Sequence, residues 1–158
     1  MQLPAHARLV GPPEDLDFLD VQGADLPRRL TPLEAWNGIM AQPLPGLALA
    51  FRLRDAVSAR FGVKRIGGFT GRRADRVAAG DKLDFFLVEE ATADRLVLTE
   101  RDRHLDVMTC VTVDGQRLSV VSSVVTHNRF GRAYMIPVAP AHRIIVRLML
   151  RRLMRSLA

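Results

Sequence analysis

The feature that most constrains this fold is a run of four closely spaced apolar segments between residues 83 and 127. Each is rich in Val, Leu, Thr or Phe and short connections separate them, so they predict consecutive antiparallel strands. The segments are LDFFLVEE (83–90), RLVLTE (95–100), HLDVMTCVTV (104–113) and RLSVVSSVVTH (117–127). Asp114 and Gly115 give the strongest hairpin signal, because an Asp-Gly pair suits a two-residue turn.

Helical patterns flank these strands. Residues 15–22 alternate loosely and predict a first strand, and TPLE (31–34) carries the capping box of a following helix. A second helix is predicted from residue 47 to residue 61, and a long third helix from about residue 140 to residue 157. The resulting order of strand, two helices, antiparallel strands and a final helix is an α+β arrangement.

The second helix has an apolar residue at every fourth position, which predicts a buried stripe made of Leu49, Leu53, Val57 and Phe61. The third helix carries an apolar arc on one side and Arg143, Arg147, Arg151 and Arg155 on the other. The simplest interpretation is a core helix with a solvated arginine face. The alternative is a helix that docks on an anionic membrane surface or an acidic partner.

Strand alternation predicts which side chains face the core. A two-residue loop at Asp114–Gly115 pairs Val113 with Gln116. With tight turns between the earlier strands, the apolar side chains of all four strands then point to the same side of the sheet. The predicted inner face then consists of Phe85, Leu87, Leu96, Leu98, Leu105, Val107, Val111, Leu118, Val120 and Val124. The predicted outer face carries Phe86, Val88, Val97, Met108, Val121 and Val125, an apolar patch rimmed by charge that suggests a homodimer contact.

A polar cluster, RDRHLD at 101–106, falls on this outer face. Its simplest interpretation is a set of cross-strand charge pairs. The second interpretation is a metal site, since His and Asp side chains suit zinc or iron. Its ligands would come from Asp102, His104, Asp106 and His127.

Composition narrows the function classes. The net charge is +6, and five of those charges belong to arginines in the final HRIIVRLMLRRLMRSLA segment, so a protein-wide nucleic-acid surface is not predicted. Cys110 is the only cysteine, which excludes an intramolecular disulfide. The glycine- and arginine-rich stretch 64–82 has neither a Walker nor a GxGxxG pattern, so no cofactor is expected.

The N-terminal residues lack the apolar segment of a secretory signal, and no uninterrupted apolar stretch of membrane-spanning length occurs. The expected location is therefore the cytoplasm. We predict an N-terminal extension at 1–14 and a single domain at 15–158.

Several segments resemble a bacterial domain family of unknown function. They are LDFLDVQ, LRDAVSARFGVK, LTERDRHLDVMTCVTV and SSVVTHNRFGRAYMIPVAPAHRIIVRLMLRRL, and HNRFGRAY…P.HR is the most specific motif. The resemblance extends from about residue 15 to residue 155. Members occur alone or fused after NmrA-like, short-chain-dehydrogenase-type Rossmann domains. The family is similar to the START-like, pollen-allergen-like (SRPBCC) superfamily, which implies a helix-grip fold with a sheet curved around the last helix, and hydrophobic ligands between them.

The leading functional hypothesis is therefore the binding of a small hydrophobic or amphipathic molecule between the sheet and the last helix. The candidate lining residues are Phe85, Leu87, Leu98, Val107, Thr109, Val120, Ser122, Arg132, Tyr134 and Leu150. One alternative is a cyclase or dehydratase, for which His142, Tyr134 and Glu100 are the candidate acid–base residues. The other is an interaction domain that uses the outer sheet face or the arginine-rich helix.

Overall fold

The computed structural model describes residues 2–41, 44–62 and 66–158. Within them, one antiparallel sheet has the strand order β1-β6-β5-β4-β3-β2, so β1 and β2 form its edges. The strands are β1 (Phe18–Asp25), β2 (Lys82–Leu83), β3 (Phe86–Ala91), β4 (Arg95–Arg101), β5 (Leu105–Asp114) and β6 (Arg117–Thr126). The helices are α1 (Pro32–Met40), α2 (Leu47–Ala59) and α3 (Arg129–Leu157), and a short 3₁₀ turn (Pro13–Asp15) precedes β1.

The main core lies between the inner sheet face and helices α1 and α3. Its sheet side includes Leu96, Leu98, Val111, Val113, Leu118 and Val120, and its helix side includes Trp36, Ile39, Met149, Leu150 and Leu153. These side chains alternate along the strands or recur at helical spacing, so one apolar face of each element closes the core. The predicted α+β architecture, with a long C-terminal helix held against a six-stranded antiparallel sheet, is confirmed and is consistent with the helix-grip description.

Helix α1 begins as predicted. The Thr31 hydroxyl accepts a hydrogen bond from the Glu34 backbone N–H at 3.1 Å, and the Glu34 carboxylate accepts one from the Thr31 N–H at 2.7 Å. This reciprocal capping box satisfies two donors that the first helical turn leaves free.

Helix α3 begins earlier than predicted, at Arg129 instead of near Pro140. The Asn128 side chain caps it by accepting a hydrogen bond from the Gly131 backbone N–H at 2.9 Å. Pro137 and Pro140 are both exposed within the helix. The carbonyl groups that these prolines leave without a helical partner therefore face water, which makes the continuous helix tolerable.

The register of the central hairpin differs from the prediction by two residues. Asp114 pairs with Arg117, so the loop consists of Gly115 and Gln116, and Gly115 has the positive φ of 61° that this turn requires. The β4–β5 connection is longer than predicted, and Leu98 pairs with Thr109 instead of Val107, again a shift of two residues. A shift of two residues preserves the side-chain alternation, so the predicted faces of β4, β5 and β6 are correct.

Strand β3 is the exception. Its pairing with β4 shifts between Val88 and Glu90, where an extra residue forms a β-bulge. The bulge inverts the alternation, so Phe86 and Val88 point into the core and the predicted inward orientation of Leu87 is wrong. Phe85, also predicted to face inward, is half-buried beside the core and contacts the Phe86 ring at 4.4 Å.

The outer sheet face is covered by the chain itself. Ala7, Leu9 and Val10 of the N-terminal segment, residues 2–12, pack on Val97, Met108, Cys110 and Val121. The Arg8 backbone N–H approaches the Cys110 sulfur at 3.4 Å, and the Arg8 guanidinium pairs with Glu90 at 3.1 Å. The N-terminal segment therefore covers much of the patch that was predicted to be exposed, and a homodimer contact there stays a prediction.

The predicted buried stripe of α2 is also wrong. Leu49, Leu53, Val57 and Phe61 are exposed by 69, 64, 50 and 59%. Ser58 is buried instead, and the Phe51 ring contacts Phe69 at 5.4 Å. Helix α2 thus lies against the domain by the side opposite to its apolar stripe.

Candidate functional site

The predicted ligand-lining residues do not share one environment. Leu98, Thr109, Val120 and Ser122 are buried on the inner sheet face, and Leu150 is buried on α3 above it. Four of the others lie elsewhere: Leu87 on the far side of β3, Phe85 beside the core, Arg132 exposed on α3, and Tyr134 half-buried with its hydroxyl 3.1 Å from Arg54 Nε.

Val107 packs against the main core and also against a smaller apolar cluster. This cluster contains Phe18, Val124 and Met135, with Leu105 and Tyr134 packed beside it. It lies beneath the N-terminal half of α3. Val107 and most of the buried candidates therefore lie where the helices meet the sheet, and their side chains belong to the apolar clusters there.

An open groove lies where α3 crosses the sheet edge at β1. It has a volume of about 290 Å³. One wall consists of Gln22, Gly23 and Ala24 of β1, and the other consists of Arg147, Leu150, Arg151, Met154 and Arg155 of α3. Among the predicted lining residues only Leu150 belongs to it. The helix side of the groove therefore combines apolar side chains with three arginines.

The arginines of this groove differ from their neighbour Arg143. Arg143 lies 3.8 Å from the Asp20 carboxylate, and its guanidinium lies over the Phe18 ring at 4.7 Å. Within the described part of the chain, the guanidinium groups of Arg147, Arg151 and Arg155 have no hydrogen bond or ion pair. Helix α3 contains no acidic residue, so its own sequence does not balance these charges.

Two local features fix the β1 wall of the groove. The Gln22 side-chain amide donates to the Arg143 carbonyl oxygen at 2.9 Å and to the Asp20 carboxylate at 2.7 Å, which ties the strand to the helix. Gly23 has no room for a side chain, because a Cβ there would lie 2.6 Å from the Leu118 carbonyl oxygen. A larger residue would push β1 away from β6.

His142 lies at the same helix–strand junction. Its ring contacts the Phe18 ring edge-on at 5.5 Å, and its Nδ1 is 3.8 Å from the Asp20 carboxylate, too far for a hydrogen bond. Burial lowers the pKa of His142 below 6.5, although the Asp20 charge opposes this shift. The ring is therefore neutral at physiological pH.

The three acid–base candidates are not joined in a catalytic arrangement. His142 faces Phe18 and Asp20, Tyr134 bonds to Arg54, and Glu100 lies on β4 opposite Val107. The described contacts of His142 and Tyr134 show neither a nucleophile–base pair nor a base held by a third group, which acid–base catalysis requires.

The metal-site candidates also separate. Asp106 lies 3.2 Å from His127 and 3.2 Å from Arg101, whereas the Asp102 carboxylate accepts hydrogen bonds from the backbone N–H groups of His104 and Leu105. Among the residues that the structure describes, no three His, Cys, Asp or Glu side chains are grouped as metal ligands. The cluster is a turn with an adjoining charge network.

His104 has a structural role that the sequence pattern did not reveal. Its Nδ1 accepts a hydrogen bond from the Asn128 amide at 2.8 Å, and its ring packs 4.8 Å from Phe130. Its carbonyl oxygen lies against Gly131, where a Cβ would come within 2.2 Å. His104 therefore attaches the first turn of α3 to the β4–β5 turn. Long-range contacts of this kind have no signature in local sequence.

Exposed apolar side chains form a second notable surface. On α3 they recur at every fourth position as Ile136, Pro140, Ile144 and Leu148, and Ile136 is 76% exposed. By length and composition α3 could cross a membrane, and only 11% of its most apolar 18 residues are buried. The other side of the helix, however, is packed against the sheet and α1.

Comparison with known proteins identifies the family but not an activity. Neither a curated protein nor a solved structure matches the chain. A family described as "Protein of unknown function (DUF2867)" matches residues 13–149. This match covers all six strands of the sheet and most of α3, so the chain belongs to the DUF2867 family.

Proposed function

We propose that this domain binds a small amphipathic anion in the groove between β1 and α3. The observation that carries the proposal is the set of three arginines, Arg147, Arg151 and Arg155, which have no partner in the described chain and border an apolar strip. Guanidinium groups bind carboxylate and phosphate through paired hydrogen bonds, which are among the stronger polar contacts in proteins.

The size of the groove limits the ligand. A volume of about 290 Å³ is at the lower end of small-molecule sites, which range from roughly 300 to 1,000 Å³. An anionic headgroup with a few methylene groups would occupy it, with the chain against Leu150 and Met154. A longer alkyl chain would extend beyond the groove. The proposal thus keeps the expected amphipathic ligand and moves it from an enclosed cavity to the sheet edge.

The resemblance to START-like domains adds to this proposal. Those domains hold ligands between a curved sheet and a C-terminal helix, and this chain also ends in a long helix that packs on an antiparallel sheet. We also infer membership of that superfamily and, on the sequence resemblance, a relation to family members fused to NmrA-like domains. Catalysis as a cyclase or dehydratase stays a prediction.

Binding of hexyl phosphate tests the proposal. Isothermal titration calorimetry would compare it with hexanol, which lacks the charge, and with inorganic phosphate, which lacks the chain. We expect hexyl phosphate to bind at least tenfold more tightly than either, a difference of about 1.4 kcal/mol. We also expect added salt to weaken it, because screening reduces the guanidinium contribution.

The test variant combines Arg147→Gln with Arg151→Gln. The control is Arg76→Gln, which removes an arginine from the exposed loop before β2. The double variant should weaken hexyl phosphate binding at least tenfold, whereas the control should leave it unchanged. Equal binding of hexyl phosphate and hexanol, or equal loss in the control, would refute the proposal.

A further inference from the structure

Two neighbouring helices expose apolar stripes to the solvent. On α2, Leu49 and Leu53 are 69 and 64% exposed, and on α3, Ile136 and Ile144 are 76 and 57% exposed. Single exposed apolar residues are normal on protein surfaces, but a regular row on each of two helices is not. Such rows mark an interaction surface.

The two helices are in contact beside the N-terminal half of α3. Arg54 of α2 donates from Nε to the Tyr134 hydroxyl at 3.1 Å, and the Phe61 and Phe130 rings lie 5.1 Å apart. The apolar rows therefore belong to adjacent elements. We infer that the two rows act together and call their exposed side chains the apolar surface; it comprises Leu49, Leu53, Val57, Phe61, Ile136, Pro140, Ile144 and Leu148.

The charge around the apolar surface is positive. Helix α3 has no acidic residue, and it continues into Arg147, Arg151 and Arg155, which have no partner in the described residues. The one acidic residue of α2, Asp55, is held by Arg54 at 2.8 Å and by backbone N–H groups of the following loop. A partner that covers this surface must therefore be apolar at its centre and anionic around it.

We propose that the apolar surface docks on a membrane that contains anionic lipids. Exposed apolar rows flanked by arginines are typical of helices that lie in the plane of a bilayer interface. The long arginine side chains can reach the headgroups while the apolar side chains enter the acyl boundary. The headgroups and the ligand proposed for the groove would share Arg147, Arg151 and Arg155, whereas the exposed apolar side chains of the docking surface do not line the groove.

A second copy of the chain fits this surface less well. Pairing α3 with its own copy would bring two unbalanced arginine rows together without intervening acids, which costs free energy. A transmembrane orientation also fits poorly, because the inner side of α3 is fastened to the sheet through Met149, Leu150 and Leu153. Insertion across a bilayer would have to break that core.

Vesicle flotation tests the docking. The full chain would be mixed with phosphatidylcholine vesicles, or with phosphatidylcholine vesicles that contain 30% phosphatidylglycerol, a composition chosen as about physiological in anionic charge. We expect binding to the anionic vesicles only, with loss of binding at high salt. Absence of binding to anionic vesicles at low salt would overturn the proposal.

Variants separate apolar docking from simple charge attraction. Leu53→Gln with Ile136→Gln changes two exposed side chains, so folding should be preserved, and circular dichroism would check it. We expect at least a tenfold loss of vesicle affinity, whereas Leu3→Gln, at an exposed apolar site outside the surface, should change nothing. Vesicle binding that this double variant leaves intact would overturn the role of the apolar surface.

Light scattering of the free protein identifies the competing occupant. A monomer supports the membrane as the partner, and a dimer that Leu53→Gln with Ile136→Gln dissociates would show that a second copy covers the surface instead. Hexyl phosphate binding in the groove would survive either outcome, so failure of the docking proposal is distinguishable from failure of the ligand proposal.

Discussion

Replacing Asn128 would test how the long helix is attached to the sheet. Two short hydrogen bonds of the side chain run in opposite directions: its oxygen accepts from the Gly131 N–H at 2.9 Å, and its amide donates to His104 Nδ1 at 2.8 Å. A third, longer bond runs from the amide to the Arg103 carbonyl oxygen at 3.4 Å. One residue thus caps α3 and joins it to the β4–β5 turn.

The magnitude follows from these two bonds. Loss of an N-cap side chain costs about 1 kcal/mol. An unsatisfied acceptor left under the helix costs roughly 1–3 kcal/mol more. We expect Asn128→Ala to lower the free energy of unfolding by about 2–4 kcal/mol, and the melting temperature by roughly 4–16 °C for a chain of this size.

Asn128→Ser separates the two contributions. Serine caps a helix about as well as asparagine but is too short to reach His104, so only the second cost should remain, about 1–3 kcal/mol. Urea unfolding followed by circular dichroism and by fluorescence of the buried Trp36 would measure both variants. Stability of Asn128→Ala within 0.5 kcal/mol of the wild type, a typical neutral surface change, would refute this account of the attachment.

Three further predictions follow from local packing. Gly131→Ala should destabilise the protein by about 1–3 kcal/mol, because the added Cβ meets a backbone carbonyl. Gly38→Ala should destabilise it less, because that Cβ meets only the end of a leucine side chain; urea unfolding of both variants would test this difference. Burial holds the pKa of His142 below 6.5, so at low pH the unfolded chain binds more protons than the folded protein, and the free energy of unfolding should fall as the pH falls. His142→Gln should flatten this pH dependence in unfolding titrations between pH 5 and 8, roughly where histidine titrates. Leu9→Ser should loosen the N-terminal segment and speed thiol labelling of Cys110 by about tenfold, because burial under this segment raises the pKa of the thiol and keeps it unreactive. An unchanged labelling rate would show that the N-terminal segment does not protect Cys110.

Local patterns predicted the elements better than their environment. The capping box at Thr31, the Asp-Gly hairpin and the alternation in β4, β5 and β6 are local signals, and the structure confirms the helix start and the faces. The two-residue register error was harmless because alternation has a period of two. The single-residue bulge after Val88 did change the predicted faces, because one extra residue reverses the side-chain alternation of a strand. The segment LVEEA contains no local signal that predicts this bulge.

Burial was harder to predict because it depends on distant parts of the chain. The apolar rows of α2 and of the outer sheet face look equally suited to a core. The N-terminal residues Ala7, Leu9 and Val10 cover the sheet face, whereas no described element covers Leu49 and Leu53 of α2. Periodicity shows that a helix has an apolar side, but only the tertiary arrangement decides whether that side has a neighbour.

The candidate site was located only in outline for the same reason. The arginine periodicity of the last helix was legible in the sequence, but its proximity to Gln22 and Gly23 depends on where α3 crosses the edge of the sheet. The polar cluster at 101–106 attracted the metal hypothesis because its residues are adjacent in sequence. In three dimensions Asp102 and His104 serve the turn and the helix start.

The most direct test of the proposed function is an NMR titration of the arginine Nε–Hε groups with hexyl phosphate. We predict saturable shifts for Arg147 and Arg151, which line the groove, and little change for Arg143, which already pairs with Asp20. Uniform small shifts of all exposed arginines, or shifts that inorganic phosphate reproduces in full, would contradict a site built for an amphipathic anion.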